Sequence, residues 1–404
     1  LSTSSHHRPR DLRLDFFRGL GMFIIFVAHV PENSWTLWIP ARFGFSDATE
    51  IFVFCSGMAS AIAFGAAFRR HGWWIGFART AFRVWQVYWA HIALFMVTVA
   101  LLLVFDRINP SVEYTERLYV IPFFEDTASA FLGLMTLTYV PNYFDILPMY
   151  LVILAMMPFV IALARISEAV ALAGIGILWL FATSGYLNLP AEPWSDREWF
   201  FNPFAWQLVF FTGFAFMSGW LKPPPVNRWL IGLAIAILVV TVPFAHRWGW
   251  QNAEWIFEAR DLVWGGLEKT DFGVLRYVHF LALAYVAWVA AGEGGRRLAG
   301  GGAWGRFVAI TRKVGQQSLA IFLTGMVLAQ VMGMVLDLIG RNMLTWALVN
   351  LSGFLILIAT AYGVAWFKSQ PWRKPSAAEA SGSRSGAQGR AEPVSRRSEL
   401  AAGE

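Results

Sequence analysis

Long apolar segments separated by short charged connectors constrain this chain more than any other feature. A bilayer crossing takes roughly 17–25 mostly apolar residues in helical form. Segments 15–32, 48–67, 80–105, 146–164, 168–185, 203–221, 229–245, 274–291, 315–338 and 343–367 have that character. The expected fold class is therefore all-α integral membrane, with about ten transmembrane helices. Segment 128–140 is too short to cross and reads as a re-entrant or interfacial helix. Composition agrees: only 14% of residues are charged, against about 25% in soluble domains. Trp 21 and Phe 35 bring the aromatic share to 16%, as expected where rings sit at lipid headgroups. A cytosolic enzyme, a disordered scaffold and a secreted disulfide domain are excluded. Cys55 is the only cysteine, so neither an internal disulfide nor a metal site with Cys partners is available.

The net charge of +6 is distributed as a topology signal, and no nucleic acid partner is implied. With the N-terminus inside, the cytoplasmic connectors carry Arg8, Arg10 and Arg13, then Arg69, Arg70 and Arg79, then Arg165, Lys222 and Arg228. Further along the same side come Arg296, Arg297, Arg306, Arg312, Lys313, Lys368, Arg373 and Lys374. Most acids, from Glu32 and Asp47 to Asp261 and Asp271, fall on the other side. This bias places both termini in the cytoplasm. Counting 128–140 as a full span would put Arg165 and Lys222 outside and spoil the pattern. No cleavable signal peptide is evident in the residues following Arg8-Pro9-Arg10. The expected organisation is a cytoplasmic tail at 1–14, a membrane domain at 15–367 and a disordered cytoplasmic tail at 368–404, the last rich in Ala, Ser, Gly and Arg.

Three residues within the first span bear on chemistry. Arg18 and His29 are eleven positions apart, so they share a helix face about 16 Å apart along the axis, with Asp15 one turn before Arg18. Charge inside a span is costly and faces a cavity or a partner. Asp15 and Arg18 would otherwise pair at the interface, and His29 would otherwise end the helix. An imidazole has the pKa of a general base near neutrality.

Asp47 and Glu50 begin the second span. Either they orient that imidazole, or Ser46-Asp47 simply caps a helix. Cys55 reads as packing, and Ser56-Gly57 as a point of close helix approach. Arg69, Arg70, Arg79 and Arg83 cluster between spans two and three, where guanidinium forks suit a donor's phosphates. The positive-inside bias explains Arg69 and Arg70 equally well, whereas Arg79 and Arg83 stand one turn apart on one helix face and Arg83 sits deeper, beside Trp85 and Tyr88. His91 either lines the same cavity or is a buried, hydrogen-bonded core residue. Asp145 either holds an acceptor hydroxyl or is a helix-start carboxylate. Trp194, Trp199, Trp206, Trp248, Trp250 and Trp255 either stack on sugar rings or anchor at the interface. His6, His7, His71, His246 and His279 show no metal-ligand spacing, and no metal is expected.

An Arg, ten residues, then a His in the first of about ten spans resembles the membrane acyltransferase superfamily that decorates surface glycans. Within it, Arg13-Leu14-Asp15-Phe16-Phe17-Arg18-Gly19, followed by Asp47, Glu50, Ser56 and Gly57, resembles the OpgC family over residues 10–370. That resemblance implies a multi-pass bacterial inner-membrane O-succinyltransferase. Succinyl-CoA, or another acyl-CoA, would be the donor substrate, periplasmic glucan the acceptor, and no cofactor would be permanently bound. Taken with the residue reading above, catalysis falls to His29, Glu50, Asp47 and Arg18, donor binding to Arg79, Arg83, Arg69 and Arg70, and substrate contacts to Asp15, Asp145 and His91. The lipid bilayer is a further partner, and a homodimer is left open. Three rivals stand beside this reading: an O-acetyltransferase of another surface glycan, a proton-coupled secondary transporter, and a scaffold subunit of a glucan-synthesis complex. The matched halves and broken helices common in transporters are not evident.

Overall fold

The computed structural model describes residues 11–373. Arg8, Arg10, Lys374 and the Ala/Ser/Gly/Arg-rich tail lie outside them. Among the described residues no strand forms, apart from one isolated bridge between Pro190 and Glu198. The longer helices are α1 (Leu12–His29), α2 (Ala48–His71), α3 (Trp73–Ile108), α4 (Thr127–Thr136), α5 (Ile146–Ile166) and α6 (Glu168–Thr183). They continue as α7 (Pro203–Ser218), α8 (Arg228–Ala245), α9 (Val274–Ala291), α10 (Gly302–Gln316), α11 (Ser318–Ile339) and α12 (Met343–Ser369).

Each expected span falls on one of these helices. Seven of them (α2, α3, α5, α8, α9, α11 and α12) are both long and apolar enough to cross a bilayer. This makes the chain a multi-pass membrane protein. Three others fall short for identifiable reasons: α1 carries Arg13, Asp15 and Arg18, whereas α6 and α7 have 16 residues each. The short segment is α4, ten residues long and closed by Leu137 in the left-handed region at φ 60°. At 1.5 Å per residue it extends only about 15 Å.

One helix was not expected. Segment 315–338 begins inside α10, and the apolar helix proper starts at Ser318. The charges Arg306, Arg312 and Lys313 conceal α10 from any search for apolar runs, yet it packs along α1. Local chemistry explains most boundaries. Asp11 caps α1 by accepting from the Arg13 amide, and Pro31 follows its end. Asn202 caps α7 with Pro203 in its first turn.

The core is built where α2 crosses α7. Gly57 of α2 lies against the Phe210 carbonyl, and Gly213 of α7 lies against the Phe54 carbonyl. A Cβ at either glycine would strike the opposing backbone, so the close approach read from Ser56-Gly57 is what the structure contains. The described residues up to Ala361 form one compact unit. The second begins at Tyr362, and in it Trp366, Phe367 and Trp372 pack on one another.

Candidate active site

His29 is the last residue of α1. Its Nδ1 lies 2.7 Å from the Ile25 carbonyl one turn back. A carbonyl oxygen only accepts, so Nδ1 carries the hydrogen and Nε2 keeps the lone pair. The ring is half-buried, edge-on to Tyr143 at 5.5 Å between centroids, and the Tyr143 hydroxyl donates to the Met326 carbonyl at 2.5 Å. His29, Tyr143 and Asp145 line a cavity of about 310 Å³ together with Thr49, Asn142 and Lys269, closed by Ile25, Ile146, Phe200, Phe201, Phe322 and Met326.

Asp145 precedes α5 but forms no side-chain cap bond, and its buried Oδ1 has no hydrogen-bond partner. It is therefore not an ordinary helix-start carboxylate. Burial pushes this carboxyl up to about 7 against the pull of Arg197.

The start of α2 is a capping box. The Asp47 carboxylate accepts from the Thr49 amide at 2.7 Å, and Glu50 accepts from the Asp47 amide at 2.7 Å. Contrary to the solvated-cap reading, Asp47 is also ion-paired with Lys269 at 2.6 Å and Arg276 at 3.7 Å. Burial alone would raise its carboxyl, but these two cations hold it well below the usual carboxylate range. Glu50 is fully buried, with Arg276 Nε 3.1 Å from its Oε1, an ion pair lacking hydrogen-bond alignment. Arg276 also donates to the Phe45 carbonyl. In this structure the Ile25 carbonyl orients His29. The carboxylates of Asp47 and Glu50 instead hold Lys269 and Arg276, and through Lys269 they fix a cation at the cavity wall.

A second cavity, about 320 Å³, lies toward the other end of α1. Arg18, Arg79 and Arg83 all line it, with Ser56, Tyr150, Ser318 and the π-turn Ala61–Gly65 of α2 contributing through Ala63 and Phe64. Such turns often occur at functional sites. Arg18 is buried. It donates from Nη2 to the Cys55 carbonyl at 2.9 Å, while its Nε has no partner. Asp15 is fully buried and accepts from Gln316 of α10 at 3.1 Å. Arg83 donates to Gln86 at 3.3 Å.

Other expected site residues lie elsewhere. Arg69 and Arg70 are exposed at the end of α2 and do not line the cavity. His91 is fully buried and lines neither cavity, and neither of its ring nitrogens has a partner among the described residues. Two of the outer tryptophans are buried in protein. Trp199 donates to the Pro190 carbonyl and Trp206 to the Lys269 carbonyl, so neither presents a face to sugar or lipid. Trp248 and Trp255 are exposed.

Lys269, Arg276 and Tyr143 were not anticipated. Lys269 and Arg276 stand among acidic and apolar residues far from Asp47 in sequence, and nothing in local spacing connects them. The model of one protein family, described as OpgC protein, matches residues 10–369. No curated protein and no solved structure matches the chain.

Proposed function

The chain belongs to the OpgC family, and from that premise we propose that it moves a succinyl group from cytoplasmic succinyl-CoA to hydroxyls of periplasmic glucan. The observation that carries this reading is the tautomer of His29: with Nδ1 committed to the Ile25 carbonyl, Nε2 is the basic nitrogen in a cavity that also holds an unsatisfied carboxyl oxygen at Asp145. Nε2 takes the proton of the glucan hydroxyl as its oxygen attacks the thioester carbonyl. The carbon–sulfur bond breaks, the coenzyme A thiolate leaves, and the imidazolium returns its proton to that thiolate. A thiol with a pKa near 8.5 leaves with little acid assistance, so no protein nucleophile is required. Lys269 faces the same cavity and can stabilise the negative oxygen that develops on the carbonyl.

Arg79, Arg83 and Arg18 are the cations for the donor's phosphates and arm. Ten spans, both termini in the cytoplasm and an inner-membrane location complete the reading. The two cavities at opposite ends of α1 support a donor and an acceptor that arrive from opposite faces. The test is mass spectrometry of periplasmic glucans from cells with and without the protein. A succinyl increment that depends on the protein is expected. An acetyl increment would reassign the donor, and no change would refute transferase activity.

A further inference from the structure

The two cavities share four helices. Their walls include Ile25 and Arg18 of α1, Thr49 and Ser56 of α2, Ile146 and Tyr150 of α5, and Phe322 and Ser318 of α11, the first of each pair in the His29 cavity. At 1.5 Å per residue these separations are about 10 Å along α1 and α2 and only about 6 Å along α5 and α11. The cavities are thus stacked along one axis with one to two helical turns between them.

A ring pair lies in that interval. Phe52, which lies between Thr49 and Ser56 on α2, is buried and stacks on Phe322 with centroids 5.7 Å apart and planes 14° from parallel. Arg18, which lines one cavity, and Asp145, which lines the other, each bury a polar atom without a partner, Nε and Oδ1. Buried polar groups are ordinarily satisfied, so both side chains keep hydrogen-bonding capacity that a ligand with polar groups at both ends would use. Both rings belong to the apolar core and neither makes a hydrogen bond, so the stack can part without breaking one.

We infer that the two cavities are the ends of one binding channel for the extended arm of an acyl thioester, and that the Phe52–Phe322 pair is the partition through which the arm passes. The inference rests on the acyl-transfer reading. Closed, the rings keep water on the His29 side from the thioester. Parted around the arm, they hold the acyl carbonyl on that side, so Phe52 and Phe322 are positioning residues.

The experiment uses the full chain with Cys55→Ala and Ser318→Cys, in sealed vesicles with the His29 end outward. A charged, membrane-impermeant methanethiosulfonate is added to the bath. With Phe322 intact, the cysteine at position 318 should label slowly; with Phe322→Ala it should label about tenfold faster or more, as expected when a gate is removed. Phe52→Ala provides a second opening variant should Phe322→Ala fail to fold. Phe322→Trp, which keeps the partition filled, should stay as protected as the unaltered ring. Fast labelling with both rings intact would overturn the partition, as would unchanged labelling in both alanine variants once each is shown to be folded by gel filtration. Labelling does not depend on transfer. If it follows expectation while glucan is never acylated, the acyl-transfer reading fails and the partition stands. If transfer proceeds and the labelling contradicts expectation, the partition alone fails.

Discussion

Replacing His29 with alanine should separate chemistry from folding. The side chain makes one neutral hydrogen bond, from Nδ1 to the Ile25 carbonyl at 2.7 Å, and one edge-on contact with Tyr143 at 5.5 Å. Such a hydrogen bond contributes about 1 kcal/mol, and such a ring contact about 0.5–1.5 kcal/mol. His29 is the last residue of α1 and only half-buried, so its removal leaves no charge stranded and interrupts no helix. A stability loss of about 2 kcal/mol follows from those two contacts, and the protein should still insert and purify as a folded species. The catalytic loss is larger. A general base contributes about 10²–10⁴-fold, or about 2.7–5.5 kcal/mol of barrier. The assay follows thiol release from succinyl-CoA and the succinyl increment on purified glucan, beside thermal unfolding and gel filtration in detergent. His29→Ala with transfer within tenfold of the unaltered protein would refute the role of Nε2. An unfolded variant would instead refute the claim that the contacts of His29 are minor.

Glu50→Gln should lower transfer by a smaller factor than His29→Ala. Glutamine can still accept from the Asp47 amide but cannot offset the Arg276 charge, so kinetics and thermal unfolding should fall together. Cys55→Ala should retain most activity, since Arg18 bonds the Cys55 backbone carbonyl and alanine keeps it; an acyl adduct on Cys55 in intact-mass analysis would replace direct transfer with a two-step route. Arg79→Gln with Arg83→Gln should raise the donor KM about tenfold or more, at 1.5–3 kcal/mol per charged hydrogen bond, while the glucan KM stays nearly unchanged in steady-state kinetics. Asp145 should make acceptor binding pH-dependent. Its carboxyl, pushed up to about 7 by burial, is protonated below that pH and becomes a full acceptor above it. The glucan KM should therefore fall between pH 6 and 8, and Asp145→Asn should flatten that change; a KM profile identical in both proteins would remove Asp145 from the acceptor site.

The sequence by itself determined the class of fold and the main axis of the site. Apolar length and basic connectors are local properties, so each of the ten expected spans falls on a helix, and the ten-residue α4 is as short as its run of apolar residues implied. The eleven-residue spacing of Arg18 and His29 is likewise local, because a helix converts spacing directly into face and distance. Ser46-Asp47 before an apolar run reads as a helix cap, and Asp47 does cap α2.

Tertiary structure decided what those groups touch. The partners of Asp47 and Glu50 are Lys269 and Arg276, more than two hundred residues away, and no periodicity couples positions so far apart. Arg79 and Arg83 face the Arg18 cavity while Arg69 and Arg70 do not, although all four are cations grouped between the same two spans. The difference comes from the placement of α3 against α2, a packing outcome. The helix α10 escaped apolar searching because Arg306, Arg312 and Lys313 interrupt its apolar residues, although Val308, Thr311 and Val314 are buried and the helix packs on α1. The Phe52–Phe322 stack joins two rings from helices distant in sequence, and only helix packing brings them together. Short-range physics wrote the helices and their caps into the sequence, whereas the cavities exist only where side chains from several helices converge.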